Sequence, residues 1–218
     1  MSRSISIVIA DDHKLVLEAL QHRLEDDGEL RVVGTAEDGR GAIEQVDRQR
    51  PDIVVMDIDM PGLSSFEAAR IIRERSPETQ VIFLSAFCND RYIEAALHVE
   101  AAGYVTKKES LQSVVDAIRA VRAGQCYFSP EVRARMVVEA SGVTLEEDAR
   151  SRLATLTPRE LQILRYIARG LSRKEIAATI ELSLKTVECH CANLMSKLDI
   201  HDRVELARFA IREELVEP

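Results

Sequence analysis

Five short aliphatic runs, spread through the first half of the chain, constrain its fold more than any other feature. They are ISIVIA (5–10), RVVGTA (31–36), DIVVMD (52–57), VIFLSA (81–86) and GYVTK (103–107). Helix-length stretches with apolar residues at helical spacing separate them. After the last run, Leu111, Val114, Val115 and Ile118 fall at i, i+3, i+4 and i+7. Strands alternating with helices of this length predict a parallel sheet covered by helices on both faces. Near-continuous apolar strands suit a sheet buried on both sides. The chain is 46% hydrophobic, with no Trp and only 4% aromatic residues, so its cores must be mainly aliphatic.

Chain-crossing rules then favour a right-handed, doubly wound, flavodoxin-like α/β domain of five strands. A second pattern begins at Thr157. Thr157-Pro158-Arg159-Glu160 reads as a capping box with proline at the first helical position, and Ser172-Arg173-Lys174-Glu175 as another. Ser183 caps a third helix, Gly170 suits a left-handed helix end, and a fourth helical pattern runs from about Arg203 to Leu215. Four short helices predict a small all-α domain. The boundaries read as 1–124 for the first domain, 125–155 for a partly helical connector and 156–218 for the second. The connector is expected to be helical after Ser129-Pro130 (VRARMVVEA) and loosely solvated through SGVTLEEDARS.

In open α/β sheets, ligands bind beyond the carboxyl ends of the strands. Asp11 and Asp12 follow the first run, Asp57 ends the third, Ser85 ends the fourth and Lys107 ends the fifth. Three carboxylates at one sheet edge repel and call for a cation. Hard oxygen ligands at an open site suit Mg²⁺. A hydroxyl and an ammonium opposite them are what a phosphoryl group requires.

In this order, VIADDHKLV, VVMDIDMPG, VIFLSA and GYVTKK resemble the signature of a bacterial response-regulator receiver domain over residues 5–123. The resemblance implies that Asp57 accepts a phosphoryl group from a sensor histidine kinase. It implies that Asp11, Asp12 and Asp57 hold Mg²⁺, with the backbone carbonyl of Asp59 as a further ligand. Ser85 and Lys107 take the hydroxyl and lysine positions of the family, and Ser85 and Tyr104 its switch positions. The receiver assists its own phosphorylation and dephosphorylation, yet the protein is not expected to be an enzyme. A rival reading makes Asp57 and Asp59 the nucleophile and general acid of a haloacid dehalogenase-type phosphatase. Against it stand the placement of the motif on the third strand, the Pro61-Gly62 turn, and the absence of a later paired-aspartate loop.

The segment LTPRELQILRYIARGLSRKEIAATIELSLKTVECHCANLMSKL resembles a LuxR/FixJ-type helix-turn-helix over about residues 155–212. With the receiver, it is similar to NarL/FixJ-type two-domain transcription regulators. The second helix of such a motif enters the major groove and is predicted over Leu184–Leu198. Val187, Leu194 and Leu198 face inward with His190 beside them. Lys185, Thr186, Glu188, Cys189, Ala192 and Asn193 are the candidates for reaching bases. Arg173, Lys174, Lys197 and Arg203 are the candidates for phosphates. Glu188 can accept a hydrogen bond from cytosine N4 but gains nothing from phosphates.

Residues 1–150 carry 18 basic against 27 acidic side chains, and residues 151–218 carry 11 against 10. The near-neutral second domain predicts modest non-specific DNA affinity, so binding of promoter DNA as a homodimer formed on phosphorylation is expected. A helical domain that binds protein instead is the alternative. Cys189-His190-Cys191 does not read as a metal site, because consecutive helix positions diverge by about 100°; its cysteines are expected to be packing residues. Four unpaired cysteines, an N-terminus unlike a signal peptide and the lack of a membrane-length apolar run predict a cytoplasmic location with no membrane partner.

Overall fold

The computed structural model describes residues 4–139, 142–145, 152–213 and 215–216. They form two compact units.

Along residues 5–122, β1 (Ile5–Ala10), β2 (Leu30–Ala36), β3 (Ile53–Asp57), β4 (Gln80–Ser85) and β5 (Gly103–Thr106) alternate with α1 (Lys14–Glu25), α2 (Gly39–Gln49), α3 (Ser65–Arg75), α4 (Asp90–His98) and α5 (Leu111–Arg122). All strand pairs are parallel, and the sheet order is β2-β1-β3-β4-β5 followed by a short β6 (Tyr127–Phe128). The alternation of side chains along a strand gives the sheet two buried faces. Ile7 and Ile9 pack with Ile53, Val55, Ile82 and Val105 against Leu17, Leu20 and Leu24 of α1 and Val114, Val115 and Ile118 of α5. Val8, Val54, Met56 and Phe83 are buried on the other face, where the rings of Phe66 and Phe83 lie 4.9 Å apart. A sheet sandwiched this way presents its polar groups only at the strand ends.

β6 binds the outer edge of β5. The Tyr127 N–H donates to the Ala102 carbonyl (3.0 Å), the Ser129 N–H donates to the Tyr104 carbonyl (2.9 Å), and the Thr106 N–H donates to the buried Ser129 hydroxyl (3.0 Å). Gly103 makes this approach feasible, since a Cβ there would lie 2.9 Å from the Tyr127 carbonyl oxygen.

The connector departs from the sequence expectation. Its helix, α6, is one turn long (Pro130–Arg133), and the chain then forms β7 (Met136–Glu139) paired with β8 (Gly142–Leu145). The β-branched pair Val137-Val138 favours extended backbone over continued helix. Of the stretch expected to be loosely solvated, residues 141 and 146–151 lie outside the described residues.

The second unit holds a 3₁₀ turn (Arg152–Thr155), α7 (Pro158–Ala168), α8 (Arg173–Thr179), α9 (Leu184–Leu198) and α10 (Arg203–Arg212). Both expected capping boxes are present. The Thr157 hydroxyl accepts from the Glu160 N–H while the Glu160 carboxylate accepts from the Thr157 N–H, and Ser172 and Glu175 repeat the pattern. Ser183 caps α9 through the Thr186 N–H (3.1 Å), Asp202 caps α10, and Gly170 takes a left-handed φ of 90° after α7. Leu161, Leu164, Ile176, Val187, Cys191, Leu194, Leu198, Leu206 and Phe209 are buried and form the core.

Candidate functional site

The predicted convergence at the strand ends is present. Asp11 follows β1 and is fully buried, and Asp57 ends β3 with 2% of its surface exposed. The Lys107 ammonium bridges them, 2.6 Å from Asp11 Oδ2 and 3.2 Å from Asp57 Oδ1. The Lys107 N–H donates to the Ser85 carbonyl (2.6 Å), so the end of β4 fixes the backbone from which the lysine reaches back. Ser85 is buried, and its hydroxyl accepts from the Phe87 N–H (3.1 Å). Tyr104, on β5, is wholly buried and donates its hydroxyl to the Phe87 carbonyl (2.8 Å). Asp59 sits half-buried in the bend after β3. Ser65, at the start of α3, donates to the Asp57 carbonyl (2.7 Å) and pins that bend.

The electrostatics follow from burial. Desolvation raises the Asp57 pKa, Lys107 lowers it, and Asp11 raises it again, leaving it at about 6 against an ordinary 3.8. Burial works to lower the Lys107 pKa, but Asp57 and Asp11 hold it above the usual lysine value. Burial also raises the Tyr104 phenol.

A divalent cation fits these residues. Asp12 Oδ1 and both carboxylate oxygens of Asp57 are buried without a hydrogen bond. Oxygens left this way demand a cation or another donor. Asp11, Asp12, His13 and Asp57 each place one ligand atom within 4.8 Å of the others. His13 was not singled out from the sequence. Its only signal there is its position directly after the acidic pair.

On α9, Lys185, Glu188, Cys189, Ala192 and Asn193 are exposed, as are Arg173 and Lys174 on α8. Thr186 is half-buried, with its hydroxyl 2.7 Å from that of Ser183. Two basic residues assigned to phosphates already have partners within the unit. Lys197 Nζ lies 2.7 Å from Glu160 Oε2, and Arg203 donates to the Leu171 carbonyl (2.6 Å). Burial works to raise the Glu160 pKa, but the hydrogen bonds from Lys197 and Thr157 hold it below the ordinary 4.5. The cysteines divide: Cys191 is buried in the core, whereas Cys189 is exposed and is not a packing residue. His190 is half-buried.

An acidic pocket with a bridging lysine on a doubly wound sheet, joined to a capped helix-turn-helix, defines a signal-responsive regulator with a separate output unit. Comparison with known proteins specifies it. Residues 7–119 match the response regulator receiver domain, and residues 154–210 match the luxR family of bacterial regulatory proteins. The oxygen regulatory protein NreC of Staphylococcus carnosus is 35% identical over 217 residues, covering 98% of this chain and all of NreC. The transcriptional regulatory protein DegU of Brevibacillus brevis is 32% identical over 92% of this chain and 90% of its own. A LuxR-family two-component response regulator from Aurantimonas, 31% identical, covers 60% of this chain and 94% of its own at a TM-score of 0.58. RcsB of Salmonella typhimurium, 24% identical over 95% of this chain and 97% of its own, has the same fold at a TM-score of 0.72. The chain belongs to the response regulators with a receiver and a LuxR-type output domain, the NarL/FixJ type. It is a phosphorylation-controlled transcription regulator, and the phosphatase alternative is set aside. Among the described residues, no helix is long and apolar enough to cross a membrane.

Proposed function

We propose that Asp57 accepts a phosphoryl group from the phosphohistidine of a sensor kinase, and that this modification controls binding of promoter DNA through α9. The observation carrying the proposal is the buried Asp57 carboxylate, whose oxygens make no hydrogen bond although Lys107 stands 3.2 Å away. A pKa of about 6 leaves Asp57 ionised at neutral pH, as a nucleophile must be. A carboxylate oxygen attacks phosphorus, the P–N bond to the kinase histidine breaks, and an acyl phosphate forms. Lys107 holds positive charge beside the incoming oxygens, and Asp11 keeps Lys107 in place.

Asp11, Asp12, Asp57 and the Asp59 carbonyl are the ligands we assign to Mg²⁺. When bound, the ion neutralises charge among the carboxylates and on the phosphoryl oxygens. The modification adds roughly −1.5 to −2 charge beside Ser85 and Lys107. The Ser85 hydroxyl, which accepts from the Phe87 N–H, then turns to a phosphoryl oxygen, and Tyr104, tied to the carbonyl of the same residue, repacks. We assign residues 1–124 to the receiver, 125–155 to the connector and 156–218 to the DNA-binding domain of a cytoplasmic protein that dimerises on phosphorylation. Lys185, Thr186, Glu188, Cys189, Ala192 and Asn193 face the bases. Arg173 and Lys174 meet phosphates, and Lys197 and Arg203 join them by exchanging their present partners.

Incubation with acetyl phosphate and Mg²⁺, followed by intact-mass measurement, tests the site. Wild type should gain one phosphoryl group and Asp57→Asn none. A phosphoryl group retained on Asp57→Asn would refute the assignment.

A further inference from the structure

We propose that His13 is a nitrogen ligand to the cation in this pocket, so that the site favours imidazole-accepting divalent ions (Mn²⁺, Co²⁺, Ni²⁺) beyond what its carboxylates alone would give. The inference rests on the reading of Asp11, Asp12 and Asp57 as a cation site.

The backbone delivers the ring to the carboxylates. His13 precedes α1 in extended conformation (φ −94°, ψ 103°), and its N–H donates to Asp11 Oδ1 (2.9 Å). This tight turn folds the imidazole back over the acidic pair. Nδ1 comes within 2.8 Å of Asp12 Oδ1 and 3.3 Å of Asp11 Oδ1. Neighbouring ligands of an octahedral ion with bonds of roughly 2.0–2.1 Å sit about 2.8–3.0 Å apart. The observed separations bracket that value. Two further facts point to an ion rather than a closed polar cluster. Asp12 Oδ1 makes no hydrogen bond despite the short approach, and neither oxygen of the buried Asp57 makes one, Lys107 Nζ standing as an ion-pair partner 3.2 Å from Oδ1 alone. The ring also leaves 61% of its side-chain surface exposed, so it is not a core histidine held by packing.

The donor set predicts the preference. Mg²⁺ takes oxygen ligands and keeps several waters, so it gains little from an imidazole. Affinity for nitrogen donors rises from Mn²⁺ through Co²⁺ to Ni²⁺. A ring whose Nδ1 already lies at ligand separation from two carboxylates loses little freedom on binding. The competing account is that a protonated His13 serves as counter-ion to Asp11 and Asp12. In that case His13 would oppose every cation alike.

The two accounts separate in calorimetric titrations of the tag-free full-length chain with Mg²⁺, Mn²⁺, Co²⁺ and Ni²⁺. His13→Ala should weaken Co²⁺ and Ni²⁺ by about tenfold or more and Mg²⁺ by less than about twofold. His13→Gln should behave like His13→Ala, and His22→Ala, outside the pocket, like wild type. Electron spin echo spectra of the Mn²⁺ complex should show nitrogen modulation from a bound imidazole in wild type and none in His13→Ala. Equal affinities for all four ions in wild type and His13→Ala, or tighter binding in the variant, would overturn the proposal while leaving the carboxylate site standing. Mg²⁺ binding that is absent, or unaffected by Asp12→Asn, would overturn both.

Discussion

Replacing Asp57 by asparagine should stabilise the cation-free protein, even though it removes the residue that receives the signal. The fold holds the Asp57 carboxyl at a pKa of about 6 against an ordinary 3.8, through burial first, with Lys107 opposing and Asp11 adding to the rise. A difference of about two units corresponds to about 3 kcal/mol. The sign follows from linkage. The folded state binds the proton more tightly, so this contribution to stability is fully present below pH 3.8 and is lost as pH rises through about 6. Above that, the ionised carboxylate opposes folding by the full amount. Asparagine is neutral at every pH but leaves a polar amide in the same buried place, which reduces the expected gain to about 1–3 kcal/mol at pH 8. Hydrogen exchange of β1 and β3 peptides at graded urea, with a chelator present, reads the stability of this unit within the full chain. Asp57→Asn should exceed wild type at pH 8, with the advantage shrinking as pH falls from about 6 towards 3.8. Added Mg²⁺ should narrow the gap by stabilising wild type more. An asparagine variant no more stable than wild type at pH 8 would refute the argument that burial, and not the Lys107 ion pair, dominates at this carboxylate.

Three further outcomes are expected. Lys197→Met strands the buried Glu160 carboxylate and should destabilise the second unit by about 1–3 kcal/mol near neutral pH, discounted because the lysine is partly solvated. Because the folded Glu160 pKa lies below the ordinary 4.5, that loss should fade as pH falls from 4.5 through the folded value, which thermal melts across pH would show. Thr157→Ala removes the hydroxyl that caps α7 and should cost about 0.5–2 kcal/mol, measured by the same melts. Gly103→Ala pushes a methyl against the Tyr127 carbonyl and should cost about 1–3 kcal/mol, with exchange accelerated first at the Tyr127 and Ser129 amides.

The elements readable from sequence were those with a strong local signal. Near-continuous apolar runs placed β1 to β5 within a residue or so of their ends, and Ser183 with Leu198 bounded α9, because capping and amphipathic period are local properties. β6 is two residues long and carries no period, so only the edge of β5 defines it. VRARMVVEA reads as helix by spacing, yet the β-branched pair within it follows the extended alternative. In the site, the carboxylates and Lys107 were readable because each stands at a strand end. Long-range partners were not: nothing near Lys197 announces Glu160, 37 residues away. Cys189 is a different case. Two positions along a helix turn about 200°, so burying Cys191 already directs Cys189 outward, and the sequence held enough information to say so.

The short strand at the rim of the sheet bears on where this protein can be cut. A fragment ending with α5 at Arg122 would lack Tyr127, Phe128 and Ser129. It would bare the Tyr104 and Ala102 carbonyls and the Thr106 amide as a raw β-edge on β5, the strand that leads into the pocket lysine. Unprotected edges of this kind pair with other chains. A fragment carrying the signalling half should therefore keep the first part of the connector and end beyond α6, at about residue 135, where the rim is bound off.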